Sequence, residues 1–437
     1  MRLIIVSLVI LIINVFNLSG SEGLTVKSTD ILKQSFIYKR FMACDGLPDE
    51  RIRSIYQDKE GFLWVGTMNG LCKYDGYSFY KYYKTGSNNS ISGNWIFAIC
   101  EDSLQNIWIG TLEGLSCFDK KREVFTNYLH DSADTTSLLY NEIYTLLFDN
   151  YGKLWVGTPQ GLSRFDTETR KFQHFTNYPF NMAIGKIIKS YEDYIWIATY
   201  EGMIRYNVAT NEYKLYKIDA LPNPFGDKFW SILEYNKDLY VATGGAGLVK
   251  LKYNPLTNDY EDFVYLNHFE GTKEHLQNTQ VFDICTSNGD MWLGTEKGLA
   301  KIENVERTDA RLMFYKNNPK NSRSISNNSV YKVFIDHTGV LWCGTEHGLN
   351  KSDLNLLPFS YYSLSGLNSK EQVRSIYSKD GERVWFGTES NGFFQYNIRT
   401  GKEQYYKFES NFSFFNATRS IVLDKNDAIW LGTLGGL

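Results

Sequence analysis

Short stretches of alternating apolar and polar residues follow one another along the chain, separated by Gly, Asn and Asp. The run Ile52-Arg53-Ser54-Ile55-Tyr56 mixes apolar and polar residues in a way that is typical of a β-strand with one buried face. Asp58 to Gly61 and the pair Asn69-Gly70 are typical turn sequences between such strands. The pattern therefore predicts four consecutive antiparallel strands. They cover residues 52–56, 62–67, 71–74 and 77–83.

A five-residue phrase recurs nine times: an apolar residue, an aromatic residue, another apolar residue, a small residue and Thr. A repeat of about 40 to 50 residues is typical of propellers and solenoids, and four strands in each period favour the propeller. We expect the aromatic residue to fill the space between neighbouring sheets rather than to contact a ligand. These positions are Trp64, Trp108, Trp155, Trp196, Tyr240, Trp292, Trp342, Trp385 and Trp430.

The eighth repeat resembles a second first repeat, because Val373 to Tyr377 closely matches Ile52 to Tyr56 and a Gly-Leu pair precedes each, at Gly46 and Gly366. The sequence therefore predicts an all-β fold, with a seven-bladed β-propeller over residues 36–357. The first two blades of a second, incomplete propeller would follow over residues 358–437. Because the last repeat stops before its third strand, we interpret the chain as a fragment of a longer protein.

Residues 1–21 have the pattern of an export signal, with Arg2, an apolar run from Leu3 to about Leu18, and small residues after it. The alternative is a retained N-terminal anchor. No second hydrophobic span follows in the sequence, so the rest of the chain is expected on one side of the membrane, in the periplasm.

Charge and composition exclude several classes of partner. The net charge of −3 and the lack of a basic run argue against nucleic acid as a partner. The six cysteines show no CxxC spacing, and we expect neither a disulfide framework nor zinc. Acidic turns such as Glu101-Asp102 and Asp149-Asn150 lack the alternating ligands of a calcium loop. No metal or other cofactor is predicted.

The run from Asp58 to Leu71 and the eight further copies of this repeat resemble the two-component regulator propeller repeat. The resemblance spans about residues 36–437. It implies the periplasmic sensor region of Bacteroidetes hybrid two-component system histidine kinases, which is attached to the inner membrane and detects oligosaccharides. None of the six histidines lies in a phosphoacceptor context and no ATP-binding glycine box occurs, so we expect this chain to lack the kinase domain and not to be an enzyme.

Ligands of propellers usually bind at the rim of the central channel, where the segments before the innermost strands lie. Trp95 and Trp230 stand outside the repeated phrase and could stack on a sugar face or merely cap the core. Arg51 and Lys228 could bind acidic substituents or be solvated rim charges. The candidate ligand-binding residues are Arg51, Asn94, Trp95, Asn141, Glu142, Lys228 and Trp230.

Two other functions stay open at this point. A lyase or hydrolase can be built on the same scaffold, but it needs a general base, and the histidines here are scattered over different repeats. The propeller could instead be a scaffold that binds another protein through its rim. The membrane would be contacted only through the N-terminal segment or parts outside this chain, and a homodimer is a further option.

Overall fold

A computed structural model describes residues 37–217, 228–269, 272–354, 372–398, 400, 402–408 and 413–436. These residues form β-strands, turns and two 3-10 helices, Ala43–Asp45 and Ser413–Asn416, and they contain no α-helix. The predicted all-β propeller class is confirmed. No helix long and apolar enough to cross a membrane occurs among these residues. The predicted export signal, residues 1–21, and the second Gly-Leu pair lie outside them.

The chain divides into two compact units, and the first, Phe36–Leu356, contains seven four-stranded antiparallel sheets within its described residues. We number these sheets blades 1 to 7 in chain order. The strands of blades 1 to 4 are Ile52–Gln57, Leu63–Thr67, Gly70–Tyr74 and Phe79–Tyr82; Ile96–Glu101, Ile107–Thr111, Leu115–Asp119 and Val124–Tyr128; Thr145–Phe148, Leu154–Thr158, Gly161–Asp166 and Lys171–Phe175; and Ile184–Lys189, Tyr194–Thr199, Gly202–Asn207 and Tyr213–Tyr216. Those of blades 5 to 7 are Phe229–Tyr235, Asp238–Thr243, Leu248–Asn254 and Asp259–Tyr265; Val281–Ser287, Asp290–Thr295, Gly298–Glu303 and Arg311–Tyr315; and Val330–Ile335, Val340–Thr345, Leu349–Asp353 and Lys39–Phe41.

Blade 7 combines strands from both ends of the first unit. Its outermost strand, Lys39–Phe41, pairs with Leu349–Asp353, and Arg40 lies opposite Asn350. The innermost strand of each blade packs against that of the next, and the innermost strand of blade 7 packs against that of blade 1. The seven sheets therefore form a closed ring, which leaves no apolar sheet face uncovered at an end.

The repeated aromatic residue fills the space between blades, as the sequence predicts. Trp64 of blade 1 is fully buried and packs against Ile96 and Ile107 of blade 2. The small residue of the phrase is explained by the same contact, because a Cβ atom at Gly66 would lie 2.6 Å from Cγ2 of Ile96. Seven of the other aromatic positions are buried in the same way. Trp430, in the last described sheet, is only half-buried.

The second unit contains a four-stranded and a two-stranded sheet within its described residues. Trp385 of the first sheet packs against Ile421 and Leu431 of the second, so the interblade packing of the first unit recurs here. The four strands are Val373–Ser378, Arg383–Thr388, Phe393–Asn397 and Glu403–Tyr406, and the two strands are Thr418–Leu423 and Ile429–Thr433.

Candidate functional site

In six blades of the first unit the innermost strand begins with a buried apolar residue followed by a residue that is partly open to solvent. In blade 3 the same pair, Ile143 and Tyr144, directly precedes the strand. In blade 1, the pairing register shifts between Ile52 and Ser54, so Arg53 has no partner on the next strand. Such a bulge re-aims the side chain of the extra residue. Five other blades carry the same shift, and Tyr144 holds the matching position in blade 3. We call these seven residues the collar: Arg53, Phe97, Tyr144, Gly185, Trp230, Phe282 and Tyr331.

Four collar residues from blades 5, 6, 7 and 1 form a continuous arc. The rings of Trp230 and Phe282 lie 6.3 Å apart, and those of Phe282 and Tyr331 lie 4.8 Å apart. The guanidinium of Arg53 lies 3.7 Å from the centre of the Tyr331 ring and also pairs with Glu346 at 3.2 Å. All four are half-buried or exposed, and Trp230 is 37% exposed. The arc therefore presents partly open aromatic side chains beside a fixed cation.

The other half of the collar has a pair of rings and one position without a side chain. Phe97 and Tyr144 lie 5.8 Å apart, edge to face, and the Tyr144 hydroxyl donates to Glu142 at 3.3 Å. The collar residue of the next blade is Gly185, where a Cβ atom would lie 2.3 Å from the carbonyl oxygen of Phe229. Any larger residue would collide with this backbone atom, so blade 4 contributes no side chain to the collar.

A second ring of residues follows the collar directly, one position further along each innermost strand. We call it the inner ring. Its polar side chains reach toward the next blade: the Ser54 hydroxyl donates to the carbonyl of Ile96 at 3.3 Å, and the Thr145 hydroxyl accepts from the N–H of Ile187 at 3.2 Å. The inner ring consists of Ser54, Ala98, Thr145, Lys186, Ser231, Asp283 and Lys332.

The charged part of the inner ring is centred on Asp283. Its carboxylate accepts from the Ser231 hydroxyl at 2.8 Å, from the Lys332 ammonium at 2.9 Å and from the N–H of Val333 at 3.2 Å. Burial would raise the pKa of Asp283, but the charges of Lys332 and Lys186 and these hydrogen bonds lower it below its ordinary value. The carboxylate is therefore held ionised.

The charge of Lys332 acts on the Lys186 ammonium although the two residues belong to blades 7 and 4 of the ring. The charge of Lys332 is the largest cause that lowers the pKa of Lys186 to about 8; burial adds to the effect and the charge of Asp283 opposes it. Side chains from blades three positions apart can interact in this way only across the channel. The channel thus contains two ammonium groups and one carboxylate at the level of the inner ring.

Three of the predicted ligand residues lie at or near the collar. Trp230 is a collar residue, and Glu142 binds the collar residue Tyr144. The Lys228 ammonium lies 5.8 Å from the centre of the Tyr200 ring.

The other predicted ligand residues are placed differently. Trp95, two residues before Phe97, is 42% exposed. Arg51 pairs with Asp49 through two hydrogen bonds of 2.9 and 3.0 Å.

The two predicted asparagines hold loops within the protein. The Asn94 side-chain oxygen accepts from the N–H of Lys84 at 2.7 Å, and that of Asn141 accepts from the N–H of His130 at 2.8 Å. Each side-chain oxygen therefore holds a neighbouring loop. The sequence analysis missed the collar residues Arg53, Phe97, Tyr144, Phe282 and Tyr331. What these residues share in the sequence is a position, because each directly follows a buried apolar residue at or just before the start of an innermost strand.

Among the described residues, one histidine lies within hydrogen-bond distance of a serine hydroxyl, but that hydroxyl is not accessible to a substrate. The Ser163 hydroxyl lies 2.9 Å from Nδ1 of His174, and burial lowers the pKa of this histidine. Ser163 is fully buried between strands, so its hydroxyl cannot reach a substrate. Within the described ranges, no group of three or more His, Cys, Asp or Glu side chains is arranged to hold a metal ion.

The family model described as "Two component regulator propeller" matches residues 46–69, 90–113 and 137–160. A 58-residue stretch, 13% of this chain and 4% of the relative, is 45% identical to Histidine kinase P4 of Formosa agariphila. Two solved structures from B. thetaiotaomicron have similar folds. The extracellular domain of the hybrid two component system BT3049 gives a TM-score of 0.70 at 24% identity, with 91% of this chain and 52% of that chain covered.

The second, the extracellular domain of the hybrid two component system BT4673, gives a TM-score of 0.59 at 22% identity, with coverage of 91% and 51%. The chain thus spans about half the length of these two solved structures. At this level of identity the two structures support the propeller fold. The three matched segments each contain one copy of the repeated phrase, in blades 1, 2 and 3. These three segments of the chain therefore match the two-component regulator propeller repeat, the family that the sequence resembles.

Proposed function

We propose that this chain is the periplasmic sensing region of a hybrid two-component regulator and that the collar of its first unit binds an oligosaccharide. The observation that carries the proposal is that five of the seven collar residues are aromatic and partly open to solvent. A buried structural role would not require this exposure. Flat aromatic faces bind the apolar C–H faces of sugar rings, and partly exposed aromatic clusters are typical of binding sites.

The arc from Trp230 to Arg53 fits an extended rather than a compact ligand. Neighbouring rings in the arc are 4.8 to 6.3 Å apart, comparable to the spacing of adjoining residues in a saccharide chain, and they follow the curve of the rim. Arg53 and Glu142 supply a donor and an acceptor for hydroxyl groups at the two sides of the collar. Aromatic stacking with a few oriented polar groups is the usual composition of a ligand site.

A binding screen of neutral and acidic oligosaccharides against the purified chain tests the proposal, with calorimetry for every hit. We expect saturable binding without product formation. Phe282→Ala should weaken binding about two- to tenfold, because one ring–ligand contact contributes about 0.5–1.5 kcal/mol.

Tyr77→Ala is the matched control, since Tyr77 is a 95% exposed aromatic residue of blade 1 outside the collar. Thermal unfolding of both variants separates loss of contact from loss of fold. Absence of binding across the screen, or equal weakening by the two variants, would overturn the proposal. Conversion of a bound saccharide to product would favour the lyase or hydrolase instead.

A further inference from the structure

The inner ring carries an excess of positive charge just beyond the collar. Lys186, Asp283 and Lys332 each directly follow a collar residue, namely Gly185, Phe282 and Tyr331. One residue along a strand corresponds to about 3.3 Å, so a group attached to a sugar on the collar reaches this level. The ring contains two ammonium groups and one carboxylate, which leaves one positive charge without a compensating partner.

The carboxylate of Asp283 already has hydrogen-bond partners within the protein. Asp283 accepts hydrogen bonds from Ser231, Lys332 and the N–H of Val333, so its acceptor capacity is largely used within the protein. The Lys186 ammonium, by contrast, forms no hydrogen bond or ion pair with any residue in the described part of the chain. The opposing charge that acts on Lys186, Asp283, is paired with Lys332 instead.

Holding two ammonium groups near each other in a partly dry channel is unfavourable, because their repulsion is poorly screened there. An anion placed between them would relieve this repulsion and accept hydrogen bonds from Lys186. A hydroxyl group could accept the same hydrogen bonds but would leave the excess charge uncompensated. The arrangement therefore favours a ligand with a negative group over a neutral one.

We propose that Lys186 and Lys332 bind an acidic substituent, a carboxylate or a sulfate, of a saccharide whose ring lies on the collar. This inference rests on the proposed function, because it places the saccharide there. Gly185 directly precedes Lys186 and contributes no side chain to the collar at this position.

The first test compares two ligands that differ only in charge, tri-galacturonate and its methyl ester. We expect the acid to bind at least tenfold more tightly than the ester at low salt, and the preference to shrink as the salt concentration rises. Lys186→Met should abolish the preference and leave binding of the ester unchanged. Lys186→Arg should restore most of it. The control is Lys189→Met, which removes an exposed lysine from the same strand.

Sulfated and desulfated chondroitin disaccharides distinguish the two anion classes. A preference confined to the sulfated sugar assigns the site to sulfate, and one confined to tri-galacturonate assigns it to a carboxylate. Equal binding of acid and ester, or equal behaviour of the Lys186→Met and Lys189→Met variants, would overturn the inference while the collar proposal stands.

Inorganic sulfate tests the channel alone. At constant ionic strength, sulfate in place of chloride should raise the unfolding temperature of the wild type more than that of Lys186→Met. The Lys189→Met control removes the general effect of sulfate on stability. A specific sulfate shift without any saccharide binding would overturn the collar proposal and retain the anion site. No difference in sulfate shift between wild type and Lys186→Met would contradict the anion site.

Discussion

The indole N–H of Trp155 donates a 2.8 Å hydrogen bond to Oδ2 of Asp149, six residues earlier in the chain. The other carboxylate oxygen of Asp149 accepts from the N–H groups of Tyr151 and Lys153, both at 2.9 Å. One side chain thus fixes the turn before the second strand and satisfies the buried indole at the same time. The same Trp–Asp pair recurs in four other sheets, as Trp64–Asp58, Trp108–Asp102, Trp342–Asp336 and Trp430–Asp424.

Blade 4 lacks this pair, and the difference predicts a stabilising substitution. Ser190 lies six residues before Trp196, and neither its hydroxyl nor the Trp196 indole N–H has a hydrogen-bond partner. The turn is the same, because the Ser190 N–H donates to the Tyr194 carbonyl at 2.9 Å. Ser190→Asp should therefore satisfy the indole and raise the free energy of unfolding by about 1 kcal/mol. Urea denaturation of the purified chain measures it.

The reverse change in blade 3 is the matched control. Asp149→Ser should leave the Trp155 indole unsatisfied and lower the free energy of unfolding by about 1–3 kcal/mol. A Ser190→Asp variant no more stable than the wild type would show that burying the new carboxylate outweighs the hydrogen bond it makes.

Lys120 connects blades 1 and 2, and its removal should be costly. Its ammonium binds Asp58 at 3.2 Å, Glu60 at 2.8 Å and Glu101 at 3.0 Å. The Asp58 and Glu101 side chains are fully buried. Lys120→Met keeps the length of the side chain but leaves two buried carboxylates without their cation, so it should lower the free energy of unfolding by about 3 kcal/mol.

The exposed neighbour Lys121 provides the control for this experiment. Lys121→Met removes the same charge from the chain without touching the buried carboxylates, and it should change stability by less than about 0.5 kcal/mol. Chemical denaturation compares the two variants at the same pH. Equal losses would mean that net charge, rather than the local cluster, determines the effect.

Gly185→Ala tests why blade 4 contributes no side chain to the collar. The new Cβ would lie 2.3 Å from the Phe229 carbonyl oxygen, a backbone atom that can move only with its strand. We expect a loss of about 1–3 kcal/mol in the free energy of unfolding. Gly86→Ala is the control, because a Cβ there would meet no atom within 4 Å. If the two variants are equally stable, blade 5 shifts freely and steric contact does not require glycine at position 185.

The blades could be predicted from the sequence because their signals are local. The pattern from Ile52 to Tyr56 and the Gly-containing turns specify strands without reference to the rest of the chain. The repeated Trp was correctly assigned to the core, since a large apolar ring at a fixed position in each repeat has few other uses. The hydrogen bond from Trp155 to Asp149 was not predicted, because it depends on the three-dimensional path of the turn between them.

The collar and the inner ring could not be predicted for two physical reasons. A two-residue period places neighbouring residues on opposite faces of a sheet, whereas the bulge at Arg53 breaks this alternation and re-aims one side chain. The approach of Lys186 to Lys332 depends on closure of the ring, because the two residues lie in blades 4 and 7. The sequence search for exposed tryptophans therefore found Trp230 but none of the other collar residues.

Lys186 also predicts how stability depends on pH. Its pKa in the folded protein, lowered to about 8 by Lys332 and by burial, is below the ordinary value of 10.5. The unfolded chain therefore binds more protons than the folded one between these pH values. The destabilisation from this lysine is complete below pH 8 and is lost as the pH rises toward 10.5.

Lys186→Met, which removes this destabilising charge, should be more stable than the wild type at pH 7. The difference should then shrink through pH 9 and pH 10, whereas Lys189→Met should show no such trend. Urea titrations at each pH measure the difference, and a constant gap would mean that Lys186 keeps its ordinary pKa and that the two lysines do not repel each other across the channel.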